Sequence, residues 1–206
     1  DVVSGGQLYR YDPRTGRSEL FASLPPGRVT ATSLLDRRRN LWWCNLESGP
    51  NALFALDLAT GRVACRTPDG SMGLNRNFAL ARDGGIYFNG SDQRLWRCDP
   101  AAGSVMPTAS AFGEGRGMRS STRESSDGFI YGTTYPPPGR LFRYSVARDE
   151  LVLLGPDFLS GGYTAVCVLS PDEKFLYYLP GAHGSARNIG APVVQYRIET
   201  GERKVI

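Results

Sequence analysis

Short runs of alternating apolar and polar residues recur along the chain, and clusters of Asp, Pro, Asn and Gly separate them. One ten-residue run returns with few changes, as LYRYDPRTGR, LFALDLATGR and LWRCDPAAGS, and two weaker copies follow. The five copies begin at Leu8, Leu53, Leu95, Leu141 and Val193. These starts are 45, 42, 46 and 52 residues apart, a period typical of a repeated unit that packs against its neighbours.

Each copy predicts a β-hairpin. Its alternating half forms a strand, Asp and Pro set up the turn, and Gly supplies the positive φ that the turn needs. A second hairpin precedes each later copy; the first of these has strands at 29–35 and 41–45 around a turn at 36–40. The others cover 78–89, 118–133 and 164–179, with the strand that starts at Met118 expected to reach Glu124. Two hairpins per period give four strands, which we label a, b, c and d.

Repeated four-stranded antiparallel units predict an all-β fold, a β-propeller. Residues 1–24 would supply a half-blade, and four blades would follow at 25–70, 71–112, 113–157 and 158–206. A propeller normally closes by completing its split blade, and no terminal a strand is present to do so. We therefore expect a single partial domain from a propeller of seven or eight blades, with the remaining blades in the same or another chain. A parallel solenoid or an immunoglobulin-like sandwich explains the paired hairpins less well.

Charge and hydropathy narrow the classes of binding partner that the sequence predicts. The chain carries +4 overall, 22 of its 24 basic residues are arginine, and 20 acidic residues lie among them. Arginine pairs bidentately with carboxylate or sulfate, which favours an acidic ligand, although exposed strand edges also account for many of these residues. The basic residues are scattered rather than striped, so we do not expect nucleic acid. No run of eighteen apolar residues is present, so no membrane span is predicted.

The four cysteines show no metal-ligand spacing. Cys98 takes a repeat position held elsewhere by Tyr or Leu, so we expect it to be a buried thiol, as we do the other three. A bridge between Cys44 and Cys65 within one blade is the alternative if the protein is exported. We expect a periplasmic or secreted protein rather than a cytoplasmic one.

The predicted topology sorts the loops between the two ends of the propeller. Turns a–b and c–d lie at one end and are short, whereas b–c loops and d-to-a crossings lie at the other end and are long and irregular. Function concentrates on irregular loops held by a rigid frame, so we place the site at the irregular end and the adjoining channel mouth. The candidate ligand-binding residues are Arg76, Asn77, Arg119, Arg123, Glu124, Tyr163, His183 and Arg187.

Three chemistries are open at these positions. Arg119, Ser121 and Arg123 are expected on one face of an innermost strand, where the two arginines would either bind a carboxylate or pair with nearby acids. His183, between glycines, and Tyr135 are the candidate catalytic residues for moving a proton. A divalent cation such as calcium is a candidate cofactor, and its oxygen ligands would be Asn45, Glu47 and Asn89, residues that also suit ordinary turns.

The repeats resemble bacterial propellers of the SMP-30/gluconolactonase-like, NHL-like and YVTN-like group. The stretches 118–125 and 177–184 are similar to those of uncharacterised bacterial propeller proteins. Gluconolactonase-like enzymes hold a divalent metal, and the resemblance makes Glu47 and Asn89 its partial counterparts; propeller polysaccharide lyases use several histidines, whereas this chain has one. Two hypotheses follow. The first is a non-catalytic module that binds a protein partner or an anionic glycan; the second is a metal-assisted lactonase or polysaccharide lyase acting on carbohydrate.

Overall fold

The computed structural model describes residues 6–47, 51–73, 77–113, 117–135, 139–157, 164–181 and 191–206, without the side chains of residues 28–31, 47 and 165. All elements in these ranges are β-strands. The half-blade contains β1 (Gln7–Asp12) and β2 (Arg17–Ser23). The first blade contains β3 (Arg28–Asp36), β4 (Leu41–Glu47), β5 (Ala52–Asp57) and β6 (Val63–Arg66), and the second contains β7 (Phe78–Leu80), β8 (Ile86–Asn89), β9 (Arg94–Asp99) and β10 (Ser104–Ala111). The third contains β11 (Met118–Ser121), β12 (Phe129–Thr134), β13 (Arg140–Ser145) and β14 (Glu150–Pro156), and the fourth contains β15 (Thr164–Leu169), β16 (Phe175–Pro180), β17 (Val194–Arg197) and β18 (Arg203–Val205).

The sheets confirm the predicted half-blade and four blades. Within each sheet, every strand pairs antiparallel with the strand that follows it in the chain, so each blade is a simple meander. The a strands of successive blades are neighbours: β11 lies beside both β7 and β15. They are therefore the innermost strands, as in a propeller whose blades surround a common axis.

Blade faces pack on one another. Strand β5 shows this most clearly, because all of its residues except the last are buried. Leu53 and Ala55 contact the second blade, whereas Phe54 and Leu56 on the opposite face contact the half-blade. Side chains alternate across a strand, so a strand buried on both faces must lie between two other sheets. The described residues form four such clusters, one at each junction between consecutive units.

The repeated Asp explains the conserved shape of the c–d turns. In the first blade, the Asp57 carboxylate accepts hydrogen bonds from the backbone N–H groups of Ala59 (2.6 Å) and Thr60 (3.2 Å), and Gly61 follows with φ of 69°. Asp99 accepts the equivalent pair in the second blade. The side chain thus replaces a backbone acceptor within the turn, and the motif recurs in the half-blade and in the first two blades.

The Cys44–Cys65 bridge is excluded by the strand register. Cys65 pairs with Ala55, and Ala55 pairs with Trp43, so Cys65 lies on the Trp43 face of the blade. Cys44 is the next residue and lies on the opposite face. All four cysteines are free thiols; Cys44, Cys98 and Cys167 are buried as expected, whereas Cys65 is only partly buried.

Gly132 in β12 tests the packing between strands. A methyl group there would overlap the Ser120 carbonyl oxygen and the Phe142 ring, and the backbone oxygen cannot rotate away. We expect Gly132→Ala to lower the free energy of unfolding by about 1–3 kcal/mol, measured by urea denaturation. The control is Gly103→Ala, where the methyl group meets nothing and only the positive φ of 64° is unfavourable. A smaller loss in Gly132→Ala than in the control would contradict this packing.

Candidate functional site

A depression of about 600 Å³ lies at the end of the molecule where the a–b turns of all four blades meet. The turn 37–39 of the first blade and residues 82–84 of the second form one side of it. Residues 123–126 of the third blade and Glu173 of the fourth complete it. We call this depression the arginine mouth, because its charged lining residues are Arg37, Arg38, Arg39, Arg82, Arg123, Asp36, Glu124 and Glu173.

The local sequence of each turn holds its arginines at the rim. In the first blade, the buried Asp36 carboxylate accepts hydrogen bonds from the backbone N–H groups of Arg38 (3.0 Å) and Arg39 (3.2 Å). Asn40 closes this turn with φ of 56°. Gly84 of the second blade leaves room for the Arg39 guanidinium, since a Cβ atom at this position would overlap it. The Arg39 side chain therefore crosses from one blade to the next.

Side-chain hydrogen bonds link successive a–b turns, between residues that are 42 to 47 positions apart. The Arg38 guanidinium donates to the Arg82 carbonyl oxygen (2.7 Å), and the Arg82 guanidinium donates to that of Ser126 (3.1 Å). In the reverse direction, the Glu124 carboxylate accepts from the Arg82 backbone N–H (2.7 Å) and that of Glu173 accepts from Ser126 (2.6 Å). The rim is thus held by bonds between blades as well as by the turns themselves.

The mouth carries a positive surplus. Five arginines and three carboxylates give a formal charge of +2 among its lining residues. Each carboxylate accepts at least one hydrogen bond from a backbone N–H, so the acids serve the turns. Arg37 and Arg123 are exposed, and among the described residues their guanidinium groups make no hydrogen bond or ion pair. These two cations can therefore reach an anionic ligand without breaking a contact in the described part of the chain.

Glu173 stays ionised beside these cations. Hydrogen bonds from Ser126 lower the pKa of its carboxyl, and the positive charges of Arg123 and Arg82 lower it further. Glu173 therefore keeps its negative charge around neutral pH.

Two contacts in the structure involve residues that were predicted at the irregular end. The Asn77 amide donates to the Ser121 hydroxyl at 2.6 Å, which joins the second and third blades. The buried Arg119 guanidinium lies over the Tyr135 ring, 5.6 Å from its centroid. Arg76, Tyr163, His183 and Arg187 lie outside the described residues.

The expectation that Arg119 and Arg123 share one site does not fit the structure. Strand β11 ends at Ser121, three residues earlier than the sequence suggested. Arg119 lies near its start and is buried, whereas Arg123 and Glu124 follow its end and line the mouth at the a–b turns. The strand length separates the two arginines, because a strand advances about 3.3 Å per residue.

The proposed calcium ligands are mostly engaged in the fold. Asn89 is buried, accepts the Met118 backbone N–H at 2.7 Å and donates to the Met118 carbonyl oxygen at 2.8 Å. It thereby joins the second and third blades. Asn45 is also buried, and the side chain of Glu47 lies outside the described residues. In the described ranges, no group of three or more His, Cys, Asp or Glu side chains is placed to hold a metal ion.

A buried polar network lies between the third and fourth blades. Ser120 and Thr133 share a hydrogen bond between their hydroxyl groups (2.6 Å), and Thr133 donates to the Thr164 carbonyl oxygen (3.2 Å). The Thr164 hydroxyl in turn donates to the Asp157 carboxylate at 2.8 Å. Burial raises the pKa of Asp157, since it disfavours the charged form, although the Thr164 hydrogen bond opposes the shift.

Comparisons with known proteins now establish the architecture. No protein-family model matches the chain, and no curated protein matches it. Solved structures do match: TolB from Acinetobacter baumannii (TM-score 0.61, 16% identity) covers 97% of this chain, which spans 48% of that one. A chain of a nidogen/laminin complex matches with a TM-score of 0.70 and 13% identity. The match covers 99% of this chain and 76% of that one. Oligogalacturonate lyase in complex with manganese matches with a TM-score of 0.64 and 15% identity. The match covers 96% of this chain and 57% of that one.

The fold is that of a β-propeller. Identities this low show the fold alone, and the matched structures include both binding proteins and an enzyme. The chain spans about half the length of the matched TolB chain. Within the described ranges, no helix is long and apolar enough to cross a bilayer.

Sequence reasoning missed four arginines of the mouth, because they lie in turns that were taken as plain connections. The signal was available: Arg38 and Arg82 both lie in predicted a–b turns, 44 residues apart. A basic residue that returns at the blade period must lie on one end of the propeller. Arg37, Arg39 and Arg82 could have been grouped with Arg123 on that basis.

Substitution of Asn89 tests whether this residue has a structural or a metal-binding role. We expect Asn89→Ala to lower the free energy of unfolding by about 1–3 kcal/mol, since it leaves a buried N–H and a buried carbonyl of Met118 without their partner. Urea denaturation measures this, and Asn77→Ala, which removes a partly buried hydroxyl contact, should lose less. A calcium-dependent rise in melting temperature that disappears in Asn89→Ala would contradict the structural role.

Asp157 predicts a pH effect on stability. Its folded pKa lies above the value of 3.8 for an unperturbed Asp, so the folded chain binds this proton more tightly than the unfolded chain does. The contribution of Asp157 to the free energy of unfolding should therefore fall as the pH rises from about 4 through its folded pKa. Urea denaturation between pH 4 and pH 7 should show that the unchanged chain loses stability relative to Asp157→Asn, which cannot titrate. Parallel curves for the two proteins would refute this assignment.

Proposed function

We propose that the chain is a non-catalytic binding module whose arginine mouth holds an anionic glycan. The observation that carries this proposal is the pair of exposed guanidinium groups, Arg37 and Arg123, on a rim with three carboxylates engaged by backbone N–H groups. A guanidinium presents two parallel N–H donors to a carboxylate or sulfate, which gives direction as well as charge. Acidic sugars carry such groups at regular intervals along a chain.

Apolar surface in the mouth supports a sugar rather than a small inorganic anion. Leu34, Leu35 and Leu80 contribute to the lining, and 43% of Leu35 is exposed. Sugar rings have C–H faces that pack on aliphatic side chains while their charged groups reach the rim. The volume of about 600 Å³ also lies in the range of small-molecule sites.

A protein partner is the alternative occupant within the same proposal. An acidic peptide segment would offer carboxylates to Arg37 and Arg123, but it would lack the repeated spacing of a uronic acid polymer. The enzyme hypothesis, a metal-assisted lactonase or polysaccharide lyase, has less support. Tyr135, its candidate proton carrier among the described residues, rests against Arg119 rather than in the arginine mouth. The finer resemblance to gluconolactonase-like proteins and the periplasmic or secreted location stay predictions.

Binding is tested by titration calorimetry with oligogalacturonate, chondroitin sulfate and a neutral cello-oligosaccharide. We expect affinity for the acidic sugars, falling with added salt, and none for the neutral one. Arg37→Gln and Arg123→Gln should each weaken binding about tenfold or more, because each removes a charged hydrogen-bond donor.

Arg14→Gln is the matched control. Arg14 is also highly exposed, at 91% of its side chain, but it lies in the c–d turn of the half-blade. This variant should bind like the unchanged chain. Equal losses in all three variants would indicate general charge attraction, and unchanged affinity in Arg37→Gln and Arg123→Gln would place the ligand elsewhere. Cleavage of the sugar during titration, detected by ultraviolet absorbance of an unsaturated product, would favour the lyase hypothesis.

A further inference from the structure

Two cysteines from consecutive blades lie in contact. The Sγ atoms of Cys65 and Cys98 are 3.6 Å apart, although the residues are 33 positions apart in the chain. Cys65 is in β6, the outermost strand of the first blade, and Cys98 is in β9 of the second. The pair therefore bridges the junction between two blades. A disulfide requires a separation of about 2.05 Å, so the sulfurs have to approach by about 1.5 Å.

The surroundings of the pair differ on its two sides. Cys98 is fully buried in the apolar cluster between the blades, packed with residues such as Trp43 and Ile86. Cys65 is only partly buried, at the edge of the same cluster. The residues on either side of it in β6, Ala64 and Arg66, are exposed. A small molecule in solution can therefore reach Cys65 first, and Cys98 lies directly behind it.

Electrostatics favour the same order of reaction. The hydrogen bond between the two thiols lowers the pKa of Cys65 and raises that of Cys98. Burial raises the pKa of Cys44 to about 11 and also raises that of the fully buried Cys167. The thiolate is the reactive form, so Cys65 is the most nucleophilic of the four cysteines.

We propose that Cys65 and Cys98 form an inter-blade disulfide when the folded chain meets a low-molecular-weight disulfide. The Cys65 thiolate attacks one sulfur of the oxidant, forms a mixed disulfide and releases the first small thiol. Cys98 then loses its proton to solvent and attacks the Cys65 Sγ, which releases the second small thiol. The protein loses two hydrogens, and one oxidant molecule becomes two thiols.

The product adds a covalent cross-link between two blades that otherwise meet through packing and through the hydrogen bonds of Arg38 and Arg39. A bridge across 33 positions restricts the unfolded chain and so stabilises the folded one. We expect the melting temperature of the oxidised chain to exceed that of the reduced chain by about 5–10 °C. Reduction with dithiothreitol should reverse the shift.

The test is exposure of the purified, folded chain to excess glutathione disulfide, followed by blocking of remaining thiols and peptide mapping without reductant. Trypsin releases Cys65 in peptide 63–66 and Cys98 in peptide 98–116, so the bridge appears as one linked species containing both. The intact mass should fall by two hydrogens, and two of four thiols should remain available for alkylation after unfolding.

Variants identify the pair and exclude the other cysteines. Cys44→Ala and Cys167→Ala should still form the linked species, whereas Cys65→Ser should not. Cys65→Ser changes a partly exposed position, so it should keep the fold of the reduced chain. A stable glutathione adduct on Cys65, a link to Cys44 or Cys167, or four unreacted thiols in the folded chain would each overturn the proposal.

Discussion

Burial of both faces of each blade is the constraint on which this structure depends. A four-stranded sheet alone would leave both of its faces in water. It would then lose the stabilisation from buried apolar surface, which is about 25 cal/mol per Å². Strand β5 illustrates the solution, since Leu53 and Ala55 pack on the second blade and Phe54 packs on the half-blade. Every blade thus depends on its neighbours for stability, and the arrangement of turns at each end follows from that stacking.

The stacking of blades around one axis explains why the arginine mouth lies at the ends of the innermost strands. The a strands are neighbours around the axis, so the turns that follow them meet at one rim. Bonds from Arg38 to the Arg82 carbonyl and from Arg82 to that of Ser126 hold this rim across three blades. A site of this kind is preorganised by the frame, because its side chains extend from short turns fixed at both ends.

The fold was predictable from the sequence because its determinants are local and repeated. An Asp that accepts backbone N–H groups and a Gly with positive φ define the c–d turn, so the motif around Asp57 or Asp99 identifies a hairpin without knowledge of its neighbours. The site was less predictable, since it combines residues from four turns far apart in sequence. The site at the irregular end was predicted from loop length and stays a prediction, because Arg76, His183 and Arg187 lie outside the described part of the chain. The Met118 strand was also expected to continue to Glu124, whereas it ends at Ser121.

The engagement of the acids in the mouth affects how this protein can change over evolution. Asp36, Glu124 and Glu173 bind main-chain N–H groups, so the shape of the rim does not rely on Arg37 or Arg123. Exchanges at those two positions therefore cost little folding stability and, under the proposed binding function, act directly on ligand selectivity. Related chains could acquire neutral or basic ligands through a few substitutions at the tips of these turns while their architecture stays the same.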